Sequence, residues 1–139
     1  EVLFLCTGNS CRSQMAEGFA RAHWPQGWSA RSAGIETHGM NPFALQVMAE
    51  AGIDLANHYS KTVDDLGEDY RPDLVVTVCG HADETCPTFP GAPKVVHQGF
   101  DDPPRLAADL EGEARLAIYR RVRDEIESYV LGLPQSTNL

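Results

Sequence analysis

The sequence predicts one α/β domain, residues 1–139, built on a four-stranded parallel sheet with helices on both faces. Three observations support this fold class. Short apolar runs of strand length alternate along the chain with segments of helical periodicity, an order typical of parallel sheets. The length of 139 residues suits a single hydrophobic core. A composition of 42% apolar and 22% charged residues is that of an ordinary globular protein.

The first strand is predicted at residues 2–5, a continuous apolar run that suits a strand buried on both faces. Residues 13–22 follow as a helix, because their apolar members repeat at helical spacing. Pro25 ends this helix, and residues 28–33 form the second predicted strand, which stops at Gly34.

The middle of the chain begins with a helix from Pro42 to Gly52, since proline favours the first turn of a helix and glycine its end. The polar segment 54–70 contains one short helix, predicted at residues 62–66. Residues 73–79 then give the strongest strand pattern of the sequence, because they are apolar and mostly β-branched.

The last part of the chain contains a loop, a strand and a long helix. Residues 80–93 are rich in proline and glycine and are predicted as a loop. Residues 94–100 form the fourth strand, and residues 101–104 break the chain. The last helix is predicted at residues 113–130, followed by a short tail from Pro134.

The formal net charge of −9 argues against partners that carry many negative charges. An acidic protein repels phosphate backbones and anionic lipids, so we expect neither nucleic-acid nor membrane binding. No apolar run approaches the ~20 residues that span a bilayer, and the sequence shows no signal-peptide pattern. We therefore expect a cytoplasmic protein, which binds a small anion only where the site is locally positive.

Four cysteines stand in two pairs far apart in the sequence, Cys6 with Cys11 and Cys79 with Cys86. A disulfide framework is not favoured, because such frameworks usually belong to smaller, loop-rich secreted chains. A structural zinc site is not favoured either, because four residues separate the first pair and six the second. We predict no metal site and no cofactor.

Chemically capable side chains follow three of the predicted strands. Cys6 comes after the first strand, Cys79 ends the third, and Asp101 and Asp102 follow the fourth. In parallel α/β folds, ligands bind beyond the carboxyl ends of the strands. We therefore expect these groups to converge on one edge of the sheet.

Residues 6–13, Cys-Thr-Gly-Asn-Ser-Cys-Arg-Ser, have the spacing C-x5-R-S between a buried strand and a helix. Such a loop can point its backbone N–H groups inward and form a concave anion site, which the N-terminus of the helix strengthens. The guanidinium of Arg12 can bind two oxygens of the same anion. The predicted oxyanion-binding residues are Thr7, Gly8, Asn9, Ser10, Cys11 and Arg12.

Cys6 is the predicted nucleophile of this loop. A thiol near a helix N-terminus and a guanidinium has a lowered pKa and is a thiolate at neutral pH. The alternative, a small apolar residue filling a strand end, leaves the placement of the Gly, Arg and Ser unexplained. Ser13 either caps the helix, or holds the thiolate by a hydrogen bond, or does both. Cys11 is predicted to be a packing residue rather than a catalytic one.

Asp102, which follows the fourth strand and precedes Pro103, is the predicted general acid. Attack on a tetrahedral oxyanion expels an oxygen leaving group, and this oxygen needs a proton. Asp101 is an alternative acid, and a simple Asp-Pro turn without a catalytic role is another reading of the segment.

Cys79 and Cys86 distinguish the chain from a simple phosphate-ester hydrolase, which needs one cysteine and one acid. Two further thiols beside a loop suit the transfer of oxidation from one sulfur to the next by thiol–disulfide exchange. Residues 80–85 have no strong β pattern. Motion of this segment is required if Cys79 is to meet first Cys6 and then Cys86.

These motifs together resemble those of arsenate reductases built on the low-molecular-weight tyrosine phosphatase fold, in the thioredoxin-coupled branch with three catalytic cysteines. The resemblance covers residues 2–130 and rests on the segments CTGNSCRSQMAEG, SAGIETHGMNP, VTVCGHADETCP and GFDDP. The first and third segments in combination are highly specific, whereas C-x5-R-S alone is shared with phosphatases.

The resemblance implies reduction of arsenate to arsenite, a step of arsenic detoxification. The implied route runs through an adduct on Cys6, then a Cys6–Cys79 disulfide, then a Cys79–Cys86 disulfide that thioredoxin reduces. Phosphate and sulfate are expected to compete with arsenate. The implied roles are nucleophile for Cys6, oxyanion ligands for Arg12 and the loop amides, supports for Ser13 and Asn9, general acid for Asp102, and redox relay for Cys79 and Cys86.

Some proteins of this kind bind a potassium ion beside the loop, through residues equivalent to Asn9, Glu17 and Ser32 and a carboxylate that follows an Asn-His pair. In this chain Lys61 stands at the position of that carboxylate. The resemblance therefore leaves the potassium site open, since the ammonium group of Lys61 can replace the ion.

Two other functions remain open. Tyrosine phosphatases of this fold carry an aromatic residue after the Asp-Pro pair, whereas Pro104 stands there in this chain. Weak hydrolysis of small phosphate esters still suits the loop, which does not sharply distinguish phosphate from arsenate.

An oxyanion-binding or redox-sensing module is the third hypothesis. A module of this kind would not turn over a substrate, and Asp102 would have no catalytic role in it.

Overall fold

The computed structural model describes residues 1–137, with the backbone alone described at His81 and Asp83. The strands are β1 (Val2–Cys6), β2 (Ala30–Gly34), β3 (Leu74–Thr77) and β4 (Lys94–His97). The helices are α1 (Arg12–His23), α2 (Pro42–Glu50), α3 (Gly80–Glu84), α4 (Pro103–Leu106) and α5 (Gly112–Ser136), and Asp64–Leu66 form a short 3-10 helix.

The strands form one parallel sheet in the order β2-β1-β3-β4. In its register, Val2 of β1 pairs with Ala30 of β2 on one side and with Leu74 of β3 on the other. Every residue of β1 and β3 is buried, so both faces at the centre of the sheet are covered. The predicted fold class is therefore confirmed. β4 is an edge strand, and most of its residues are exposed.

α2 begins at the predicted proline because its first turn is well capped. The side-chain oxygen of Asn41 accepts hydrogen bonds from the backbone N–H groups of Phe43 at 2.9 Å and Ala44 at 3.1 Å. Pro42 occupies the first helical position, where its missing N–H group costs nothing.

α5 packs on α1 and α2 through residues at helical spacing, namely Leu116, Tyr119, Val122, Ile126, Val130 and Leu133. The predicted end at residue 130 is wrong, because the helix continues through Pro134 to Ser136. Pro134 has no N–H group for the carbonyl of Val130, and the indole N–H of Trp24 donates to this carbonyl instead, at 2.7 Å. No helix within residues 1–137 is both long enough and apolar enough to span a membrane.

Three further boundaries differ from the prediction. Residues 80–93 are not all loop, because Gly80–Glu84 form α3. The prolines of this segment all lie after Glu84, so they do not interrupt the helical turn of α3. Pro103–Leu106 form α4 rather than a simple break, since proline suits the first turn of a helix. β4 ends at His97 rather than at residue 100.

Candidate active site

Residues 6–13, the oxyanion loop, join the end of β1 to the start of α1. Asn9 has a left-handed backbone angle, φ 48°, which lets the loop curl. The loop borders a cavity of about 200 Å³, whose lining residues are Cys6, Thr7, Gly8, Ser10, Cys11, Arg12, His38 and Asp102. All predicted oxyanion-binding residues except Asn9 therefore line one cavity.

Cys6 is buried in this loop and lines the cavity. Its pKa lies well below the ordinary value of a thiol. The largest cause is a hydrogen bond from Cys79, and the Ser13 hydroxyl, the Arg12 guanidinium and the backbone N–H of Asn9 act in the same direction. Together they outweigh burial, which opposes ionisation. The site thus stabilises Cys6 as a thiolate.

Cys79 follows β3 and hydrogen-bonds to Cys6. Its sulfur lies 3.2 Å from Oγ1 of Thr7 and accepts a hydrogen bond from the backbone N–H of Ala82 at 3.4 Å. The pKa of Cys79 is raised, first by its bond to Cys6 and then by burial. Ser13, Arg12 and the backbone N–H of Asn9 all stabilise negative charge on Cys6, so the lowered pKa makes Cys6 the thiolate of this pair.

The other two cysteines lie outside this contact. Burial raises the pKa of the Cys11 thiol, and the negative charge of Cys6 raises it further, so Cys11 stays neutral. Cys86 is half-buried in the segment after α3, and its thiol donates to the carbonyl of Pro87 at 3.6 Å. All four cysteines lie within the described residues, and none of them forms a disulfide.

Arg12 and Asp102 meet at the edge of the cavity. One guanidinium nitrogen of Arg12 donates to the carbonyl of Phe100 at 2.9 Å, and the other lies 3.7 Å from a carboxylate oxygen of Asp102. Asp101 points elsewhere, because its carboxylate accepts a hydrogen bond from Arg121 of α5 at 3.0 Å. Of the two candidate acids, only Asp102 lines the cavity.

The Asn9 side chain lies behind the loop, fully buried, and all of its hydrogen-bonding groups have partners. Its amide nitrogen donates to the hydroxyls of Ser13 at 2.9 Å and Ser32 at 3.0 Å. Its amide oxygen accepts from the Gln14 side chain at 2.9 Å and from the Lys61 backbone at 3.0 Å. Asn9 therefore holds the Ser13 hydroxyl that bonds to Cys6. Ser13 does not act as the cap residue, since Cys11 precedes the helix.

Comparisons with known proteins agree with this geometry. The family model described as low molecular weight phosphotyrosine protein phosphatase matches residues 1–138. The chain belongs to this family. An arsenate reductase of Halalkalibacterium halodurans is 51% identical over 126 residues, which cover 90% of this chain and 88% of that protein. The arsenate reductase of Bacillus subtilis is likewise 51% identical, with the same coverage of both chains.

A solved structure described as an arsenate reductase in the phosphate binding state has the same fold. It superposes with a TM-score of 0.75 at 28% sequence identity, over 99% of this chain and 98% of that one. The family match and this structural match both extend over nearly the whole chain, including the oxyanion loop and the segment from Cys79 to Cys86.

The potassium site known from some family members does not fit the residues of this chain. The carboxylate of Glu17 is buried and accepts a hydrogen bond from Ser32 at 2.6 Å. The ammonium nitrogen of Lys61 lies 3.7 Å from Glu17, and Arg21 pairs with the same carboxylate at 2.8 Å. Two cations of the chain already neutralise this carboxylate, so no step of the mechanism is assigned to a metal ion.

Two contributors to the site were not singled out in the sequence. Gln14 bonds to Asn9, and its side-chain oxygen lies 3.0 Å from a ring nitrogen of His58. Gln14 is a polar residue on the buried side of α1. A polar residue at a core position of a predicted helix is the pattern from which its role could have been predicted. His38 lies 30 residues beyond Gly8 in the sequence, and no local pattern indicates that the two meet.

Proposed function

We propose that the chain reduces arsenate to arsenite through a relay of three thiols, Cys6, Cys79 and Cys86. The observation that carries this proposal is the position of Cys79, whose sulfur lies 3.2 Å from Oγ1 of Thr7, the residue that follows Cys6 in the oxyanion loop. Ester hydrolysis has no use for such a contact. The arsenate reductases that are about half identical to most of the chain support the same activity.

In the first step, the Cys6 thiolate attacks arsenic(V) and forms a sulfur–arsenic bond. The departing oxygen takes a proton from Asp102 and leaves as water. The guanidinium of Arg12 and the N-terminus of α1 stabilise the negative charge of the oxyanion during attack. The Asp102 carboxyl is suited to this task, because it lines the cavity and is only partly exposed.

In the second step, the sulfur of Cys79 attacks the sulfur of Cys6. The Cys79 thiol proton passes to an oxygen of the arsenic group, the Cys6–Cys79 disulfide forms, and the sulfur–arsenic bond breaks with its electron pair remaining on arsenic, which leaves as arsenite. Thr7 and the backbone N–H of Ala82 hold the attacking sulfur beside Cys6. Cys86 then attacks Cys79, so that Cys6 is released as a thiolate and the oxidation resides in a Cys79–Cys86 disulfide.

The cycle needs an external dithiol protein that reduces the Cys79–Cys86 disulfide, and we propose one of the thioredoxin class. Cys86 is half-buried and its segment lies at the surface next to exposed Glu84 and Thr85, so a partner can approach it. The reaction is assigned to the cytoplasm, where such reductants keep thiols reduced. Phosphate and sulfate compete for the cavity, because they share the charge and shape of arsenate.

The decisive experiment measures arsenite formation from arsenate with thioredoxin, thioredoxin reductase and NADPH, beside a glutaredoxin–glutathione control. We expect turnover with the thioredoxin system. Cys79→Ser should stop arsenite formation but keep hydrolysis of p-nitrophenyl phosphate, because the serine hydroxyl can still donate to the Cys6 thiolate. Cys6→Ser should abolish both activities, and Cys11→Ser should keep both. Equal loss of both activities in Cys79→Ser would show that Cys79 is only structural.

Slow hydrolysis of phosphate monoesters is a second activity that the site supports. The loop, the thiolate and Asp102 are the parts that this reaction needs, and the family model carries the phosphatase description. Pro104 follows Pro103 and offers no aromatic surface for a phenyl ring. Aromatic esters are therefore expected to be poor substrates compared with arsenate.

A further inference from the structure

The segment that follows β2 lies against the outside of the oxyanion loop. The backbone N–H of Ile35 donates to the carbonyl of Cys6 at 3.1 Å, and that of Glu36 donates to Thr7 at 2.9 Å. The N–H of His38 donates to the carbonyl of Gly8 at 3.0 Å. These bonds fix the base of the His38 side chain relative to the loop that holds the substrate.

The imidazole of His38 covers Gly8 so closely that no other residue fits there. A Cβ atom on Gly8 would lie 2.2 Å from Nδ1 and 2.4 Å from Cγ of His38. On its other side the ring meets a carboxylate, because its Nε2 lies 3.1 Å from an oxygen of Glu36. The ring is half exposed, yet it contacts Gly8 and Glu36, and His38 lines the same cavity as Cys6.

The direction of attack places the leaving oxygen at the mouth of the cavity. In an in-line displacement this oxygen lies opposite the attacking sulfur, and it must also reach Asp102 for its proton. His38 and Asp102 both line the cavity, but they come from different segments of the chain. A free oxyanion carries only a hydroxyl or oxide at this position, whereas an ester carries its whole organic group there.

We propose that His38 is a specificity-determining residue, whose ring restricts the mouth of the cavity and admits free oxyanions in preference to esters. This role rests on the proposed function, because it explains why a protein with a phosphatase fold would prefer an inorganic oxyanion to a phosphate ester. Glu36 is the positioning residue that keeps the ring over Gly8. The ring acts through its volume, so its effect depends on the size of the substrate's leaving group.

The test compares ester hydrolysis with binding of a free oxyanion, and neither readout needs arsenate or the thiol relay. The readouts are kcat/KM for p-nitrophenyl phosphate and the inhibition constant of inorganic phosphate in the same assay. His38→Ala should raise kcat/KM for the ester by about tenfold, a change typical of altered pocket size, and should leave the inhibition constant of phosphate unchanged. His38→Phe keeps an aromatic ring of somewhat larger volume and should restrict the ester at least as strongly as the unmodified enzyme.

The control is His23→Ala, which removes an exposed imidazole at the far end of α1 and should change neither readout. A parallel loss of ester hydrolysis and phosphate binding in His38→Ala would show that His38 only supports the loop. A His38→Phe variant that matches His38→Ala would show that the ring acts by its polarity rather than its volume. If the unmodified enzyme did not turn over arsenate, the proposed function would be refuted. The comparison of ester hydrolysis with phosphate inhibition in the His38 variants would still be valid.

Discussion

At the scale of single residues, the chemistry depends on which of two sulfurs in contact carries a proton. Cys6 receives hydrogen bonds from Cys79, Ser13 and the backbone of Asn9, so it ionises in spite of its burial. Cys79 keeps its proton for the same reason, because its hydrogen bond stabilises the neighbouring thiolate. The first nucleophile is therefore ready before substrate binds. In the proposed relay, the second becomes reactive only after the negative charge on Cys6 has been consumed in the adduct.

The sequence allowed Cys6, Arg12 and Asp102 to be singled out, because the loop spacing and the strand ends are local patterns. The sequence did not indicate the contact between Thr7 and Cys79, which are 72 residues apart. The sequence predicted Asp102 with Asp101 as an alternative, but it did not indicate what sets the two apart. The difference depends on Arg121 of α5, which draws the Asp101 carboxylate away from the cavity.

The low pKa of Cys6 should rise when its main hydrogen-bond donor is removed. Cys79→Ala deletes the largest cause of the lowered pKa, so the thiolate population at a given pH falls. We expect the pH profile of Cys6 alkylation by iodoacetamide to move to higher pH, measured with Cys11 and Cys86 both replaced by serine. Cys79→Ser retains a donor and should move the profile less. A profile unchanged in Cys79→Ala would contradict the assignment of the proton.

Asp102 and Asp101 form a matched pair for testing the general acid. Asp102→Asn removes a proton donor from the cavity and should lower kcat for ester hydrolysis by about 100-fold, as is typical of lost acid catalysis. Asp101→Asn removes only the ion pair with Arg121 and should leave kcat near its original value. Since the two residues are adjacent, a similar loss in both variants would indicate a structural effect of this turn instead.

Lys61 should make the enzyme indifferent to the monovalent cation in the buffer. Its ammonium already lies beside the buried carboxylate of Glu17, with 11% of the Lys61 side chain exposed. We expect kcat/KM for p-nitrophenyl phosphate to be equal in potassium and sodium chloride. Lys61→Asp places a second carboxylate there and should create a dependence on potassium. Lys94→Asp, on exposed β4, is the control. A potassium effect on the unmodified enzyme would contradict this interpretation.

At the scale of elements, the strands, the long helices and the short helix within residues 62–66 followed from the sequence, whereas α3 and α4 did not. β1 is apolar along its whole length and β3 is apolar up to its last residue, Thr77, and such apolar runs are the sequence signature of buried parallel strands. α3 spans only Gly80–Glu84, too short for a helical period to show. The continuation of α5 through Pro134 depends on Trp24, a contact between residues that are far apart in the sequence.

α3 should unfold when the relay disulfide forms. Cys79 precedes the helix Gly80–Glu84 and Cys86 lies two residues beyond its end, and a helical rise over this whole interval would separate the two Cα atoms by ~10 Å. A disulfide needs its Cα atoms within roughly 7 Å, so the segment has to unwind or fold back. We expect hydrogen exchange in residues 80–87 to be faster in the oxidised protein, with exchange in β1 and β3 unchanged.

The exchange experiment is interpretable only when mass spectrometry confirms a Cys79–Cys86 disulfide. The control is Cys86→Ser treated with the same oxidant, which cannot form this bond and should keep the exchange of the reduced protein. Identical exchange in residues 80–87 before and after oxidation, with the disulfide confirmed, would rule out the rearrangement.

At the scale of the whole molecule, a protein of net charge −9 binds an anion by keeping one cation close to the site and pairing others elsewhere. On α5, Arg120 pairs with Glu50 and Glu113, and Arg121 pairs with Asp101 and Glu125. Arg12 is different, because its guanidinium lies at the cavity with only 12% of the side chain exposed. The attraction for an oxyanion is thus local, at the end of a sheet whose surroundings are mostly acidic.

Oxyanions should stabilise the folded protein through this site, because the loop that binds them exists only in the folded chain. A ligand at about 100 times its dissociation constant stabilises the native state by about 2.7 kcal/mol. We therefore expect phosphate and sulfate to raise the thermal midpoint of the reduced protein, measured by circular dichroism at constant ionic strength. Arg12→Ala should abolish this rise, whereas Arg121→Ala removes an exposed guanidinium and should retain it. A rise that persists unchanged in Arg12→Ala would mean that these anions act on the protein as a whole and not at the oxyanion loop.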